Sequence, residues 1–274
     1  MIGSIQRGGT QVDLKIKNQK ALITGSTAGI GLEIARKLAA EGASVVLSGR
    51  SAAKINEAVA SVRGTAAGNV NGIVADITEP DGAALLLREL PEVDILVNNL
   101  GIYESKPFAE ITDADWHRYF DINVMSGVRL ARHYFPGMLR KNRGRVIFVS
   151  SETGLAVDPS MIHYAMTKTA QLAIARGLAG LAKGTAVTVN SVLPGPTRSE
   201  GIVDFLRSAS SNPNATPAAA EKEFFATARS GSLLQRMIEA EEIANMVAFL
   251  ASPLSAATNG AAIRVEGGLI NSLA

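Results

Sequence analysis

The chain has 274 residues, 47% of them hydrophobic and only 5% aromatic, with 26 glycines; that is enough for one large domain with its own core, and an α/β domain is the economical arrangement. Twenty-seven Lys and Arg against 25 Asp and Glu leave a net charge of +2, which provides no single-sign field for nucleic acid or an anionic membrane surface. Cysteine is absent and His117, His133 and His163 are scattered, which argues against disulfides, thiolate chemistry and a metal centre.

No run approaches the ~18 consecutive apolar residues of a spanning helix, and the opening MIGSIQRGGT lacks the apolar core of a signal peptide. A cytoplasmic enzyme is therefore expected, with neither nucleic acid nor membrane as partner.

Taken in order, residues 1–18 are polar and glycine-containing and read as a loose N-terminal arm; residues 19–274 read as a single dinucleotide-binding and catalytic domain. Short β-rich runs fall at 21–24, 44–48, 70–75, 93–97, 145–150, 187–192 and 262–265, and alanine- and leucine-rich stretches with helical spacing lie between them, at 30–41, 52–62, 83–90 and 164–182. Strands alternating with helices mean βαβ units. The pattern predicts a single-domain Rossmann-like, doubly wound α/β fold with about seven parallel strands, flanked by helices on both faces. The stretch 195–236, which holds SASSNPNATPAAAEKE, breaks the alternation and reads as a lid-like substrate segment.

Thr24 to Gly31 (TGSTAGIG) follows the first strand and opens a helix. Glycines at 25, 29 and 31 allow a tight turn and let backbone N–H groups approach a pyrophosphate at a helix N-terminus. The spacing is GxxxGxG, not the GxGxxG of the general dinucleotide fingerprint. The second strand ends at Arg50, where an NAD-binding chain would carry a carboxylate for the ribose hydroxyls. A guanidinium there suits a 2′-phosphate, so NADP(H) is favoured and NAD(H) is the alternative.

Tyr164 and Lys168 are four residues apart on a helix, one above the other. An ammonium beside a phenol favours the phenolate and draws its pKa down from ~10, toward proton exchange near neutrality. Ser151, past the strand RVIFVS, offers a hydroxyl to a substrate oxygen. Ser150 is its rival, and strand alternation turns the two to opposite sides.

These motifs together resemble the short-chain dehydrogenase/reductase family, in its single-domain branch, from about Lys20 to Gly268. TGSTAGIG is similar to its cofactor turn, Asp76 in ADIT to its adenine-contacting aspartate, NNLG at 98–101 to its NNAG element and Asn123 to its fourth catalytic residue. The resemblance implies a catalytic set of Asn123, Ser151, Tyr164 and Lys168. It implies cofactor contacts from Gly25, Ser26, Thr27, Gly29, Ile30, Gly31, Arg50, Asp76, Ile77, Asn99, Gly101, Tyr164, Lys168, Pro194, Gly195 and Thr197, and no metal. Tyr164 would exchange a proton with the oxygen of a carbonyl or secondary alcohol, Ser151 would position that oxygen, Lys168 would hold the ribose and lower the phenol pKa, and Asn123 would support a water relay. Two positions depart from the pattern: Leu100 replaces the usual alanine, and Ala28 stands where some NADP-preferring members carry a base.

The substrate is a small carbonyl or alcohol, lined by a mix that includes Tyr103, Glu104, Glu152, His163 and Phe205. His163 reads as a surface residue at a helix start. Arg140, Lys141, Arg143 and Arg145 read as a solvated helix end or as a dock for an acidic acyl carrier. A 3-oxoacyl-carrier-protein reductase and a non-catalytic dinucleotide sensor are the alternative functions, and a homotetramer (or homodimer) through helices near 112–141 and 161–182 is implied by the resemblance.

Overall fold

The computed structural model describes residues 12–199, 206, 210–212 and 214–273. Seven strands form one parallel sheet: β1 (Lys20–Thr24), β2 (Ser44–Gly49), β3 (Val70–Val74), β4 (Ile95–Asn98), β5 (Gly144–Val149), β6 (Val187–Pro194) and β7 (Ala262–Val265), in the spatial order β3-β2-β1-β4-β5-β6-β7. The chain winds outward from β1 in one direction, returns, and winds outward from β4 in the other. Neighbouring β1 and β4 therefore part at their C-terminal ends and leave the crevice in which such sheets bind ligands.

Alternation along the strands supplies both faces of the sheet. Ala21, Ile23, Ile95, Val97, Ile147 and Val149 join one apolar cluster, and Leu22, Leu96, Val146 and Phe148 join the other. The first face is covered by α1 (Gly29–Ala40), α2 (Ala52–Arg63) and α8 (Ala240–Ala251), the second by α3 (Pro80–Glu89), α5 (Ser126–Arg140) and α6 (Ile162–Leu181). Helix α1 buries Ile34, Ala35, Leu38 and Ala39, spaced for one stripe; full burial of an Ile or Leu contributes roughly 1.5–3 kcal/mol.

Two expectations change in detail. The helix expected near 112–141 is α4 (Asp113–Phe120), a π-type turn (Asp121–Met125) and α5 in succession. The arm expected over 1–18 is anchored in its described part at Leu14, Ile16 and Asn18. Ile16 is fully buried in the first cluster, Ser252 Oγ donates to the Leu14 carbonyl at 2.6 Å, and Asn18 N donates to the Gly42 carbonyl at 2.8 Å; residues 1–11 lie outside the described ones.

The excursion at 195–236 carries α7 (Pro217–Ala226) and a small cluster of its own, in which Leu206, Ala220, Phe224, Phe225 and Met237 pack together. Its two ends are tied. Arg198 reaches Glu221 at 3.0 Å and Glu239 at 2.9 Å, and Thr197 bridges to Ile238. Residues 200–205 of the expected lid, Phe205 included, lie outside the described residues.

Candidate active site

The cofactor turn is built from both sides. Gly25 and Gly29 have φ of +60° and +53°, values that favour glycine. At Gly31 a Cβ would stand 2.4 Å from Asn99 Nδ2 and 2.5 Å from the Gly25 carbonyl, so only glycine lets α1 start so close to the turn. Asn99 Nδ2 donates to the Thr24 and Gly25 carbonyls at 2.9 and 3.1 Å, while Thr24 Oγ1 accepts the backbone N–H groups of Asn99 and Leu100, both at 2.9 Å. Leu100 fits without disruption: its side chain packs against the second core cluster and lies against Gly25.

Helix α1 begins at Ala28, which provides no side-chain cap, and residues 28–31 line a cavity of about 800 Å³. Uncapped N–H groups with the positive end of the helix dipole make an anion site, and the glycines let a pyrophosphate come close, so the residues present fit a dinucleotide.

The remaining cofactor positions divide by what their polar groups already do. Ser26 is fully buried; its hydroxyl donates to the Ile23 carbonyl at 2.8 Å and accepts from Ser48 N at 3.1 Å. Through that hydroxyl Ser26 staples β1 to β2. Ile77 sends its side chain into the core, leaving only backbone for a ligand. Asp76 accepts from Thr78 N and Oγ1 at 3.1 and 2.6 Å, in an Asx turn before α3. Arg50 is exposed immediately after β2, and Thr27 stands beside Gly49 at the same strand end. These groups flank the turn; the cavity wall opposite includes Gly101, Pro194, Gly195 and Thr197. Gly195 is required by close approach, since a Cβ would lie 2.8 Å from the Glu266 backbone, and Thr197 Oγ1 donates to the Gly195 carbonyl at 2.8 Å.

Beyond β5 the strand alternation separates the two serines. Ser150 turns to the α6 side, where its hydroxyl donates to the Lys168 carbonyl at 2.9 Å; Ser151 caps a 3-10 turn (Glu152–Gly154) on the cavity wall. Tyr164 lines the same cavity as Ser151. Lys168 Nζ donates to the Val149 carbonyl at 3.0 Å and lies 5.5 Å from the Tyr164 ring centroid.

Burial lowers the Lys168 pKa to about 8. Burial also pushes the Tyr164 phenol above its ordinary value, and the Ser151 hydroxyl opposes this only in part.

Asn123 sits on the π-type turn, behind the cavity rather than on its wall. Its side chain accepts from Ile102 N at 2.8 Å and donates to the Ile102 carbonyl at 3.0 Å and to Thr167 Oγ1 at 2.9 Å. Gly101 lies over both centres, for a Cβ there would be 3.3 Å from Asn123 Oδ1 and 3.4 Å from Lys168 Nζ.

One surface expectation is overturned, and another changes at Arg145 alone. His163 is fully buried, 4.2 Å from the Tyr119 ring and 6.2 Å from that of Trp116. Lys141 and Arg143 are paired with Glu92 and Asp94 at 2.5 and 2.8 Å, and Arg145 is buried, donating to the Gly144, Ala186 and Ser252 carbonyls. Lys141 and Arg143 remain exposed, as a solvated helix end has them, and the cluster stands at the N-terminal end of β5.

Sequence reasoning missed Thr167 and Gln171. With Tyr164 and Lys168 they occupy i, i+3, i+4 and i+7 of an alanine-rich helix, a polar stripe that spacing alone would have revealed. It also left Glu152 as mere lining, although that carboxylate accepts the Ser151 hydroxyl at 2.6 Å.

A parallel sheet with its switch point at a glycine-rich turn, and a serine, tyrosine and lysine converging across the same crevice, define the class of dinucleotide-dependent oxidoreductases. The chain belongs to the short chain dehydrogenase family, whose sequence model matches residues 19–208; it is an oxidoreductase of the kind that acts on CH–OH and C=O groups. It is 45% identical over 265 residues to the uncharacterized oxidoreductase YvrD of Bacillus subtilis (strain 168), covering 96% of this chain and 100% of the relative. It is 30% identical to the 3-oxoacyl-[acyl-carrier-protein] reductase FabG of Escherichia coli (strain K12), over 93% of this chain and 99% of that protein. The crystal structure of L-sorbose reductase from Gluconobacter frateurii, complexed with NADPH and L-sorbose, superposes with a TM-score of 0.88 at 28% identity, covering 96% and 100% of the two chains.

Proposed function

We propose that the protein is an NADP(H)-dependent oxidoreductase interconverting a carbonyl and a secondary alcohol, with Tyr164 as the acid/base. The observation that carries this reading is convergence: Ser151, Tyr164 and Lys168 line the same cavity as the start of α1. Bound in that cavity, the nicotinamide cofactor would supply or take the hydride.

The chain's own residues do the rest. The N–H groups opening α1 bind the pyrophosphate, and Arg50 faces the adenosine side, where a 2′-phosphate would meet a guanidinium. Asn99 and Thr24 fix the turn rather than touch the reacting atoms. Ser151 orients the substrate oxygen. Tyr164, kept protonated by burial, is in the state a proton donor needs, so reduction starts without a prior ionisation step. Lys168 sets its ammonium beside the Tyr164 ring and exchanges protons with solvent, while Asn123, bonded to Ile102 and Thr167, fixes the backbone behind the pair.

The structural likeness to an enzyme solved with NADPH supports the choice of NADP(H) over NAD(H). The 3-oxoacyl alternative draws its support from likeness to FabG. No helix among the described residues is long and apolar enough to cross a membrane; a cytoplasmic location and assembly as a homotetramer or homodimer extend the same family reading.

The test is Tyr164→Phe. Turnover of ketones with NADPH should fall by about 10³-fold or more, the scale of a lost general acid, while NADPH still quenches or enhances fluorescence on binding. Full turnover by the variant would overturn the acid assignment. Cofactor binding without turnover of any carbonyl or alcohol by the native chain would favour a dinucleotide sensor.

A further inference from the structure

Glu152 is 7% exposed, lines the cavity and accepts a hydrogen bond from the Ser151 hydroxyl at 2.6 Å. Ser151 Oγ meanwhile accepts from Thr153 N at 3.3 Å and Thr153 Oγ1 at 3.0 Å. A hydroxyl has one proton and two lone pairs. As held here, Ser151 has its only proton committed to Glu152 and has nothing to donate to a ketone oxygen. A productive substrate must therefore give Glu152 another donor.

The surroundings decide which donor. Arg229 shares the wall but is engaged, with Asp158 at 2.9 Å and the Ala228 carbonyl at 2.9 Å, so it does not neutralise Glu152 by contact. A substrate carboxylate would add a second acidic group beside buried Glu152, where Arg229 is already paired with Asp158 and Lys168 is held by the Val149 carbonyl, at a cost in a site this dry. A neutral hydroxyl satisfies Glu152 without burying further charge. Ser151 and Glu152 are adjacent and their oxygens touch, a spacing that matches two oxygens on neighbouring carbons of one ligand.

We propose that Glu152 sets substrate specificity by accepting the hydroxyl on the carbon next to the reacting carbonyl, which makes the substrate class α-hydroxy ketones and the vicinal diols they form. When that hydroxyl binds Glu152, the Ser151 proton is released to turn toward the carbonyl oxygen, and Tyr164 delivers its own proton to the same atom. The inference rests on the reductase reading above.

Hydroxyacetone and butanone test it, because they differ only by OH against CH₃ beside the ketone. With NADPH, the native chain should show kcat/KM for hydroxyacetone at least about ten-fold above that for butanone, the scale of one hydrogen bond to a charged group. Glu152→Ala should collapse that ratio toward one; Glu152→Gln, nearly isosteric and still an acceptor, should leave an intermediate ratio and guards against misfolding. A structural role would depress both ketones alike and keep the ratio, overturning the assignment. Equal use of both ketones by the native chain overturns it too, while leaving the reductase reading intact. Reduction of neither, with NADPH bound, overturns both.

Discussion

The side-chain amide of Gln171 donates to the main-chain carbonyl of Asn123 at 2.6 Å, joining helix α6 to the π-type turn between α4 and α5. Asn123 in turn holds Ile102 and Thr167, so one buried network fixes the backbone beneath Gly101, the end of α4 and the helix that carries Tyr164 and Lys168. Such networks matter because each lost partner strands a buried group. Gln171→Met keeps the volume and removes the bond. It should cost about 1–2 kcal/mol, lowering Tm by about 2–8 °C in a chain of this size. Gln171→Glu should cost more, because a carboxylate there faces the carbonyl it replaced a donor to. Thermal denaturation of the two variants checks the order.

His163 is buried among rings, and among the described residues neither of its nitrogens has a hydrogen-bond partner. Desolvation lowers its pKa from 6.5, against the opposing pull of Glu104 and Asp115 from the packed neighbours. With the folded value below the unfolded one, the unfolded chain binds the extra proton at mildly acid pH. The stability that neutral His163 contributes is complete above pH 6.5 and drains as pH falls below it. Tm should therefore drop between pH 7 and pH 5, and His163→Phe should flatten that part of the curve. An unchanged slope in the Phe variant would assign the acid sensitivity elsewhere.

Arg50 is exposed at the end of β2 and is the cationic group placed there by the chain. If it reads a 2′-phosphate, Arg50→Ala should reduce the preference for NADPH over NADH by about ten-fold, the scale of a charge-assisted hydrogen bond. Arg50→Glu should go further and favour NADH, since the carboxylate repels the phosphate and can accept from ribose hydroxyls. Initial rates with both cofactors, at one fixed ketone concentration, measure it.

The sheet was legible because its signal is local. Buried parallel strands must be apolar on both faces, so β1, β4 and β5 announce themselves as short aliphatic runs, and the turn after β1 announces itself through glycines that no other residue could replace. Ser151 was separable from Ser150 by strand parity, and the Tyr164–Lys168 pair by helical spacing. Burial was less legible. His163 looked like a surface residue because its partners, Trp116 and Tyr119, are more than 40 residues away in sequence and arrive only when α4 packs on α6.

What the amino-acid sequence determined by itself is the order of elements, the glycine turn and the chemical identities on the cleft rim, since each follows from backbone sterics or periodicity within a few residues. The tertiary structure alone decided which polar atoms remain available to a ligand: Ser26 is consumed by β2, the basic cluster at 140–145 by its own ion pairs and carbonyls, and the Ser151 proton by Glu152. It alone decided how far the Tyr164 phenol is buried, which pushes its pKa up. The reason is that hydrogen-bond satisfaction and desolvation depend on every neighbour at once, and most of those neighbours come from distant parts of the chain.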